Sequence, residues 1–232
     1  MLKSILEMAA RRFKGTDYRL APELPPSALL GLGASRALAL LRGIVRLRAK
    51  VFVGPRVRLL NKSFLHVSSG VTLQEGVCID ALSRNGVRIG PRVSIGPYTR
   101  IQGSGVPSNM GLGLEIGADS GIGAFSFIGC GGGVRIGANV IMGQYVSFHP
   151  ETHRFADLAK PIRLQGVTRS GIQIGDDCWV GAKVTFLDGA RVGVGVVIAA
   201  GSVVRGEVPD RVVIAGVPAK VIRHRGESED GA

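Results

Sequence analysis

Aromatic side chains and cysteines are scarce in this sequence. Phe, Trp and Tyr make up 5% of its 232 residues, whereas glycine occurs 35 times and 45% of the residues are hydrophobic. The hydrophobic share excludes a disordered chain, and the glycine content favours a fold with many tight corners. The three cysteines, Cys78, Cys130 and Cys178, form neither a metal-type spacing nor an even set. This argues against a disulfide framework and against a cysteine-ligated metal site.

The first ten residues also do not match the pattern of a cleavable signal peptide, because Lys3 and Glu7 interrupt their short apolar stretch. Together with the odd number of cysteines, this predicts a reduced, cytoplasmic protein. Acidic residues are too few to balance the basic ones, and the net charge is +12. Residues 1–60 hold 12 Lys or Arg and 3 Asp or Glu, so this segment alone carries +9. The basicity therefore belongs to the N-terminal segment, and we expect no nucleic-acid partner for the body of the chain.

A helix is predicted to begin at Pro25-Pro26-Ser27, with Ser27 as the N-cap. Its apolar residues share one broad side, and its three arginines lie on the other: Leu30, Leu38, Leu41, Ile44 and Val45 against Arg36, Arg42 and Arg46. The helix either packs on the body of the protein with its arginines exposed or makes peripheral contact with the inner membrane. Because arginines interrupt the apolar run, we expect no membrane-spanning helix.

A six-residue period dominates the rest of the chain. Large apolar residues recur in phase at Ile174, Val180, Phe186, Val192, Ile198 and Val204, and earlier in three sets: Ile89, Ile95 and Ile101; Ile116, Ile122 and Ile128; Ile136, Met142 and Phe148. Period six fits neither an α-helix nor an alternating strand. It predicts a short strand plus a corner, three of which form one coil of a parallel β-helix. A β-sandwich would space its strands more widely, at about 8–12 residues.

The period divides the chain into three parts. Residues 1–50 lack it and form a basic N-terminal helical segment, and residues 51–206 form the β-helix. Residues 149–171 break the period for more than twenty residues, and such a long loop inside a compact domain is usually functional. Residues 207–232 form a C-terminal tail.

Three stretches carry a family resemblance: the hexads beginning IGDDCWVGAKV, the preceding HPETHRFADLAKPI and the tail motif GVPAKVIR. Together they resemble the hexapeptide-repeat sugar O-acetyltransferases, such as the galactoside and maltose enzymes and those of polysaccharide gene clusters. The resemblance implies a left-handed β-helix, a homotrimer with active sites between subunits, and polysaccharide biosynthesis. It also implies transfer of an acetyl group from acetyl-CoA to the hydroxyl of a small-molecule or lipid-linked sugar, in a ternary complex and without a metal.

Such a reaction needs a general base, and histidine suits this role near neutral pH. The chain has four histidines, two of which, His149 and His153, stand at the mouth of the long loop. The resemblance favours His153 as the base, with His149 as the alternative. Glu151 is a candidate to orient either imidazole, as the carboxylate does in catalytic triads.

The resemblance also assigns the contacts with acetyl-CoA. It places Trp179 beside the pantetheine arm and the backbone N–H of Ala182 at the oxyanion, with Gly181 and Ala200 flanking the arm. Lys220 and Arg223, and more weakly Arg205, are expected to meet the phosphates by charge-assisted hydrogen bonds.

Two other functions compete with this hypothesis. A γ-carbonic-anhydrase-like enzyme would hold zinc with three histidines across two chains. A non-catalytic β-helix would act as a scaffold with flat faces, but such a scaffold needs neither the histidine-bearing loop nor the basic tail.

Overall fold

The computed structural model describes residues 19–106 and 108–227, together with positions 3, 4, 7, 8 and 11. The rest of the predicted N-terminal segment, and residues 228–232 of the tail, lie outside the described residues.

The chain passes through three sheets in turn, one short strand in each, and then repeats the circuit. The first sheet contains, in spatial order, β1 (Phe52–Val53), β4 (Thr72–Leu73), β7 (Ser94–Ile95), β10 (Gly121–Ile122), β13 (Ile141–Met142), β18 (Trp179–Val180), β21 (Val197–Ile198), β24 (Val212–Gly216) and β25 (Ala219–His224). The second contains β2 (Arg58–Leu60), β5 (Cys78–Asp80), β8 (Arg100–Gln102), β11 (Phe127–Gly129), β14 (Ser147–His149), β19 (Thr185–Leu187) and β22 (Val203–Val204). The third contains β3 (Leu65–Val67), β6 (Val87–Ile89), β9 (Leu114–Ile116), β12 (Val134–Ile136), β17 (Ile172–Ile174), β20 (Arg191–Val192) and β23 (Glu207–Val208).

Each strand pairs in parallel with its equivalents one coil away. Ile136, for example, pairs with Ile116 on one side and with Ile174 on the other. All fifteen residues of the in-phase hexads point inward and are at most 5% exposed, so they stack into one apolar column along the prism. Phe148 and Phe186 stack within this column with their ring centroids 4.8 Å apart. The predicted fold, a left-handed parallel β-helix, is confirmed.

Two of the three corners repeat the same tight turn in every coil. The second of the two turn residues has a left-handed backbone conformation, with positive φ. Between the first and second sheets these residues are Arg56, Gly76, Tyr98, Phe125, Tyr145, Lys183 and Gly201. Between the third and first sheets they are Gly70, Arg92, Asp119, Asn139, Asp177, Gly195 and Arg211. The connections longer than four residues all lie at the third corner, between the second and third sheets: residues 81–86, 103–113 and 150–171. Irregular structure is therefore concentrated along one edge of the prism.

Helix α1 (Pro26–Leu47) packs against the first coil, where a Cβ on Gly43 would overlap the carbonyl oxygen of Val51. The predicted N-cap is wrong by two residues: Pro25 caps the helix and Pro26 begins it, because the fixed φ of proline suits the first helical position. The expected orientation of the arginines is also wrong. Arg42 and Arg46 donate to the carbonyl oxygens of Val53 and Val57, so they face the prism rather than solvent.

The expectation that no helix could span a membrane also requires correction. At 22 residues, α1 is long enough and apolar enough to cross a bilayer by length and composition. The sequence-based argument gave too much weight to its arginines, which interrupt the run without shortening the helix.

The C-terminal tail continues the sheets. Strand β23 adds to the third sheet beside β20, and β24 adds to the first sheet beside β21. β25 then folds back antiparallel on β24 and ends the first sheet. The basic residues of the tail are thereby fixed on the outer face of the prism.

Candidate active site

The long connection at the third corner contains a small ribbon of its own. It leaves β14 after His149, forms the antiparallel strands β15 (Thr152–His153) and β16 (Val167–Thr168), and returns to β17. A short 3-10 helix, Ile162–Leu164, lies between the two strands. The amide of Gln165 joins the ends of the ribbon tip by donating to the carbonyl oxygens of Asp157 and Lys160 at 2.7 and 2.8 Å. The loop is thus closed on itself by a side chain.

Two charged side chains fix the point where the loop rejoins the coil. Asp188 Oδ1 accepts hydrogen bonds from the backbone N–H groups of Ser170 and Gly171, both at 2.8 Å. Arg191 donates to the carbonyl oxygens of the same two residues, at 2.6 and 2.8 Å. Because both N–H and C=O groups are held, the root of the loop has a defined position on the prism.

The glycine run 131–133, where the hexad slips by two residues, lies directly under this root. A Cβ on Gly132 would overlap the carbonyl oxygen of Pro150, and a Cβ on Gly131 would overlap the carboxylate of Glu151. The glycines at this slip in the sequence pattern therefore allow the start of the loop to pack closely on the preceding coil.

The two candidate bases lie on different structural elements. His149 is the last residue of β14, and its exposed ring lies 5.9 Å from the ring of Phe127, one coil away. His153 lies on the ribbon strand β15, opposite Val167. It helps to line a cavity of about 530 Å³ formed by the loop, together with Phe155, Lys160 and Thr168. One imidazole is therefore fixed on the prism, and the other is carried by the loop.

Glu151 is not joined to either imidazole by any hydrogen bond among the described residues. Its carboxylate Oε2 accepts from Arg169 Nε at 3.1 Å and lies 3.0 Å from Nη2 of the same residue. The ribbon register explains this pairing, because Thr152 opposes Thr168 and the next cross-strand neighbours are Glu151 and Arg169. Arg169 also donates to Asn109 Oδ1 at 2.8 Å, which links the long loop to the connection 103–113.

The expected acetyl-CoA residues cluster mainly at another corner. Trp179 is 57% exposed on β18, and Gly181 and Ala182 form the turn that follows it. Ala200 lies one coil further along, and a Cβ on Gly181 would approach its backbone nitrogen to 2.5 Å. The N–H of Gly181 donates to Ile198 O and that of Lys183 to Gln144 O, but the described hydrogen bonds include none donated by Ala182. This N–H is therefore not engaged by any described hydrogen bond.

The basic candidates lie in two places, with Lys220 and Arg223 on the first sheet and Arg205 at the third corner. Arg223 is in register with Trp179 across the first sheet, through Val197 and Val213, and Lys220 lies on the same strand, opposite Ala215. Three strand spacings separate Trp179 from Arg223, or about 14 Å. Arg205 follows β22 and therefore lies at the third corner, on the side of the long loop.

One chain does not bring the imidazoles and the Ala182 turn together. His149 is in register with Leu187, which lies five residues beyond Ala182 on the next coil. At about 3.3 Å per residue, the width of the second sheet separates them by roughly 15 Å. Two half-sites therefore lie on neighbouring edges of the same prism.

The remaining histidines lie elsewhere. His66 is on β3 in the first coil, paired with Arg88, and His224 is on β25, paired with Val212. Within the described part of the chain, no group of three or more His, Cys, Asp or Glu side chains is arranged to hold a metal ion.

The cysteine thiols are held in the neutral form where they are buried. Burial raises the pKa of the Cys130 thiol to about 12 and also raises the pKa of Cys178. Both residues point into the core, so neither is available as a nucleophile.

Sequence reasoning missed the side chains that hold the loop: Asn109, Gln165, Arg169, Asp188 and Arg191. Arg169 is 18 residues from Glu151 and 60 from Asn109 along the chain. Asp188 and Arg191 reach back by 17 to 21 residues. Partners separated by a whole coil leave no local spacing in the sequence that would identify them.

Parts of this chain are similar to known transferases. The model of the bacterial transferase hexapeptide (six repeats) matches residues 171–206. A probable acetyltransferase of Mycobacterium tuberculosis is 39% identical over 92 residues, which are 40% of this chain and 31% of that protein. The putative lipopolysaccharide biosynthesis O-acetyl transferase WbbJ of Escherichia coli K12 is 48% identical over 63 residues, or 27% of this chain and 32% of that one. The chain thus spans about a third of the length of these curated relatives.

Among solved structures, the hexapeptide-repeat-containing acetyltransferase from Vibrio cholerae superimposes with a TM-score of 0.51 at 25% sequence identity. The match covers 59% of this chain and 72% of that chain. The resemblance inferred from the sequence motifs is confirmed by these matches.

Proposed function

We propose that this chain is a hexapeptide-repeat acetyltransferase and that it transfers an acetyl group from acetyl-CoA to a hydroxyl group of a sugar or polysaccharide precursor. The observation that carries the proposal is the position of two imidazoles at the mouth of an anchored loop that encloses a cavity of about 530 Å³. The similarity to a probable acetyltransferase and to a putative lipopolysaccharide biosynthesis O-acetyl transferase supports the same chemistry.

The reaction needs three tasks from the protein. An imidazole removes the hydroxyl proton as the oxygen attacks the thioester carbonyl, and an N–H donor stabilises the negative charge on the carbonyl oxygen. When the tetrahedral intermediate collapses, the C–S bond breaks and the imidazolium returns its proton to the CoA sulfur. An ester and free CoA are the products, and no enzyme-bound acetyl group is required.

We assign the base to His149 rather than to His153, although the sequence motif favours His153. A base must be held within a fraction of an ångström of its working position, which rigid elements do better than loops. His149 ends a coil strand and lies against Phe127, whereas His153 lies on the loop ribbon. In this proposal His153 contacts the acceptor in the cavity.

The donor half of the site is the edge that carries Trp179 and Ala182. The exposed indole offers an apolar surface for the pantetheine arm, and the free N–H of Ala182 suits a developing oxyanion. Arg223 lies about 14 Å along the same sheet row, where it can meet a phosphate at the other end of an extended CoA.

We further propose a homotrimer in which each active site lies between two subunits. The support is the separation of the half-sites within one chain by the second sheet, roughly 15 Å wide. If the third corner of one copy faces the Ala182 turn of a neighbouring copy, an imidazole and a thioester come together. Mixed trimers of a His149→Ala chain and a Trp179→Ala chain should then be more active than the average of the two parent trimers.

The test of the base compares three histidines. His149→Ala should lower kcat/KM for acetyl transfer by about 100-fold, as removal of a general base does. His153→Ala should mainly raise the acceptor KM, and His66→Ala is the matched control because His66 lies on β3 in the first coil, outside the site. Release of free CoA with a panel of sugar acceptors measures all three variants. If His149→Ala loses less than tenfold, the assignment of the base is wrong.

The donor is tested separately by calorimetry. We expect the wild-type chain to bind CoA and the variant Trp179→Ala to bind it at least tenfold more weakly, because the exposed indole that faces the pantetheine arm in this proposal would be lost. Failure of the wild-type protein to bind CoA at millimolar concentration would instead favour a scaffold.

A further inference from the structure

The outward face of α1 is an uninterrupted apolar surface. Five large side chains on it are about half exposed or more, namely Leu30 at 60%, Leu38 at 52%, Leu41 at 57%, Ile44 at 49% and Val45 at 72%. Ala34 and Ala37 lie between them at helical spacing, and both are exposed. The seven residues, which we call the apolar arc, cover about a third of the circumference of the helix and include no polar side chain.

The arc exists because the arginines of α1 are turned inward. Arg36 donates to Thr72 Oγ1 at 3.1 Å and lies 4.6 Å above the ring of Phe52. Arg46 donates to the carbonyl oxygen of Val57 at 3.0 Å, and Arg42 reaches that of Val53 at 3.4 Å. A helix that only covered the end of the prism would bury its leucines and expose its arginines. This helix buries Leu29 and packs Leu47 against the core, but it turns its three arginines inward and leaves the whole arc exposed.

Exposed cations flank α1 along the chain and lie on the first coil, against which the helix packs. Arg48 and Lys50 follow the helix directly, Arg19 precedes it, and all three are exposed. Arg58 and Lys62, on the first coil, are exposed as well. Residues 19–60 hold eight Lys or Arg and one Glu, or +7 of the net charge of +12, so much of the basic charge lies on the helix and the first coil.

We propose that the apolar arc binds the surface of an anionic membrane, with α1 lying in the plane of the interface. Leucine, isoleucine and valine side chains would enter the boundary between headgroups and acyl chains, and the flanking cations would meet acidic headgroups. A helix lying flat keeps the contacts of Arg36, Arg42 and Arg46 with the prism. A helix crossing the bilayer would break all three and leave the arginines in hydrocarbon.

A second copy of the chain fits the arc less well. Two arcs packed in a parallel pair would bring the Arg48 and Lys50 groups of both copies close together, and like charges at short range repel. In an antiparallel pair these cations would lie at opposite ends, and α1 carries no acidic residue to pair with them. An anionic surface removes this repulsion and gains from the same charges.

Flotation of the full-length chain with lipid vesicles tests the proposal. The wild-type protein should float with vesicles of 70% phosphatidylcholine and 30% phosphatidylglycerol, and less with phosphatidylcholine alone or in 0.5 M salt. The variant Leu38→Gln/Leu41→Gln/Val45→Gln should lower the bound fraction at least tenfold. Leu158→Gln, which removes a 99% exposed leucine on the loop, is the matched control and should bind as the wild type does.

Lys50→Gln combined with Arg48→Gln should remove the preference for anionic vesicles while binding to neutral vesicles stays the same. Wild-type protein that fails to float, or a triple variant that floats equally well, would overturn the proposal. So would a smaller particle mass for the triple variant in light scattering, since the arc would then be covered by another copy. Vesicle binding is measured without substrates, so its outcome is independent of the proposed acetyl transfer.

Discussion

Glu151 and Arg169 form an ion pair at 3.0 Å across the base of the loop ribbon, and Arg169 continues to Asn109 on the neighbouring connection. The pair sits between the strand that ends in His149 and the ribbon strand that carries His153. The carboxylate expected to orient an imidazole instead anchors the loop through an arginine, which makes it a positioning residue in this structure.

Replacing the arginine should loosen the loop without unfolding the prism. We expect Arg169→Gln to weaken the closed loop by about 1 kcal/mol, because the pair is partly exposed and a hydrogen bond to Asn109 is lost with it. Limited proteolysis within residues 150–171 should then proceed roughly fivefold faster. Arg135→Gln removes a looser, mostly exposed pair with Glu115 at 3.4 Å and is the matched control. Equal cleavage rates for Arg169→Gln and the wild type would show that the ion pair does not hold the loop.

A second prediction compares two glycines that lie two residues apart. A Cβ on Gly123 would overlap the backbone of Gly143 in the next coil, whereas a Cβ on Gly121 would meet nothing within 4 Å. We expect Gly123→Ala to lower the free energy of unfolding by about 2 kcal/mol, since backbone that is stacked coil on coil cannot easily move aside. Gly121→Ala should leave the free energy of unfolding unchanged or raise it by about 0.5 kcal/mol, because alanine lowers the conformational entropy of the unfolded chain.

Urea denaturation at one fixed protein concentration measures both glycine variants. If Gly121→Ala lowered the free energy of unfolding as much as Gly123→Ala does, the close approach of neighbouring coils would not explain why the hexad has small residues at positions such as Gly123.

The column of inward residues was predictable because its signal is local and repeated. Each hexad places one large apolar residue inward, and the same arrangement recurs in every coil. The pattern that predicts Ile89 to be buried therefore also predicts Ile174 and Ile198 to be buried. Interruption of the period also located the long loop, and the glycine slip at 131–133 marked its root.

The orientation of α1 was not predictable in the same way. Helical spacing separates Leu41 and Val45 from Arg42 and Arg46, but it does not say which group faces the protein. That choice depends on carbonyl oxygens at the end of the prism, such as those of Val53 and Val57, whose position only the folded coil defines. The partnership of Glu151 with Arg169 likewise follows from the ribbon register, which the sequence does not show.

The buried thiol of Cys130 gives a prediction about pH. Burial raises the pKa of this thiol to about 12, whereas an unfolded chain would ionise it near pH 9. The folded state therefore keeps a proton that the unfolded state loses. The stability that this group contributes is fully present below about pH 9 and is lost as the pH rises toward 12, by about 1.4 kcal/mol per pH unit at most.

Comparison of the wild type with Cys130→Ala isolates the effect, because lysine and tyrosine titrate equally in both proteins. The difference in their free energies of unfolding should be constant between pH 7 and 8.5. Above pH 9 it should shift in favour of the variant, by about 1 kcal/mol at pH 10. Urea denaturation at intervals of half a pH unit measures the shift. Because the Cys130 side chain is 1% exposed, a difference that stays flat through pH 10 would mean that coils near the loop root open readily enough to hydrate the thiol.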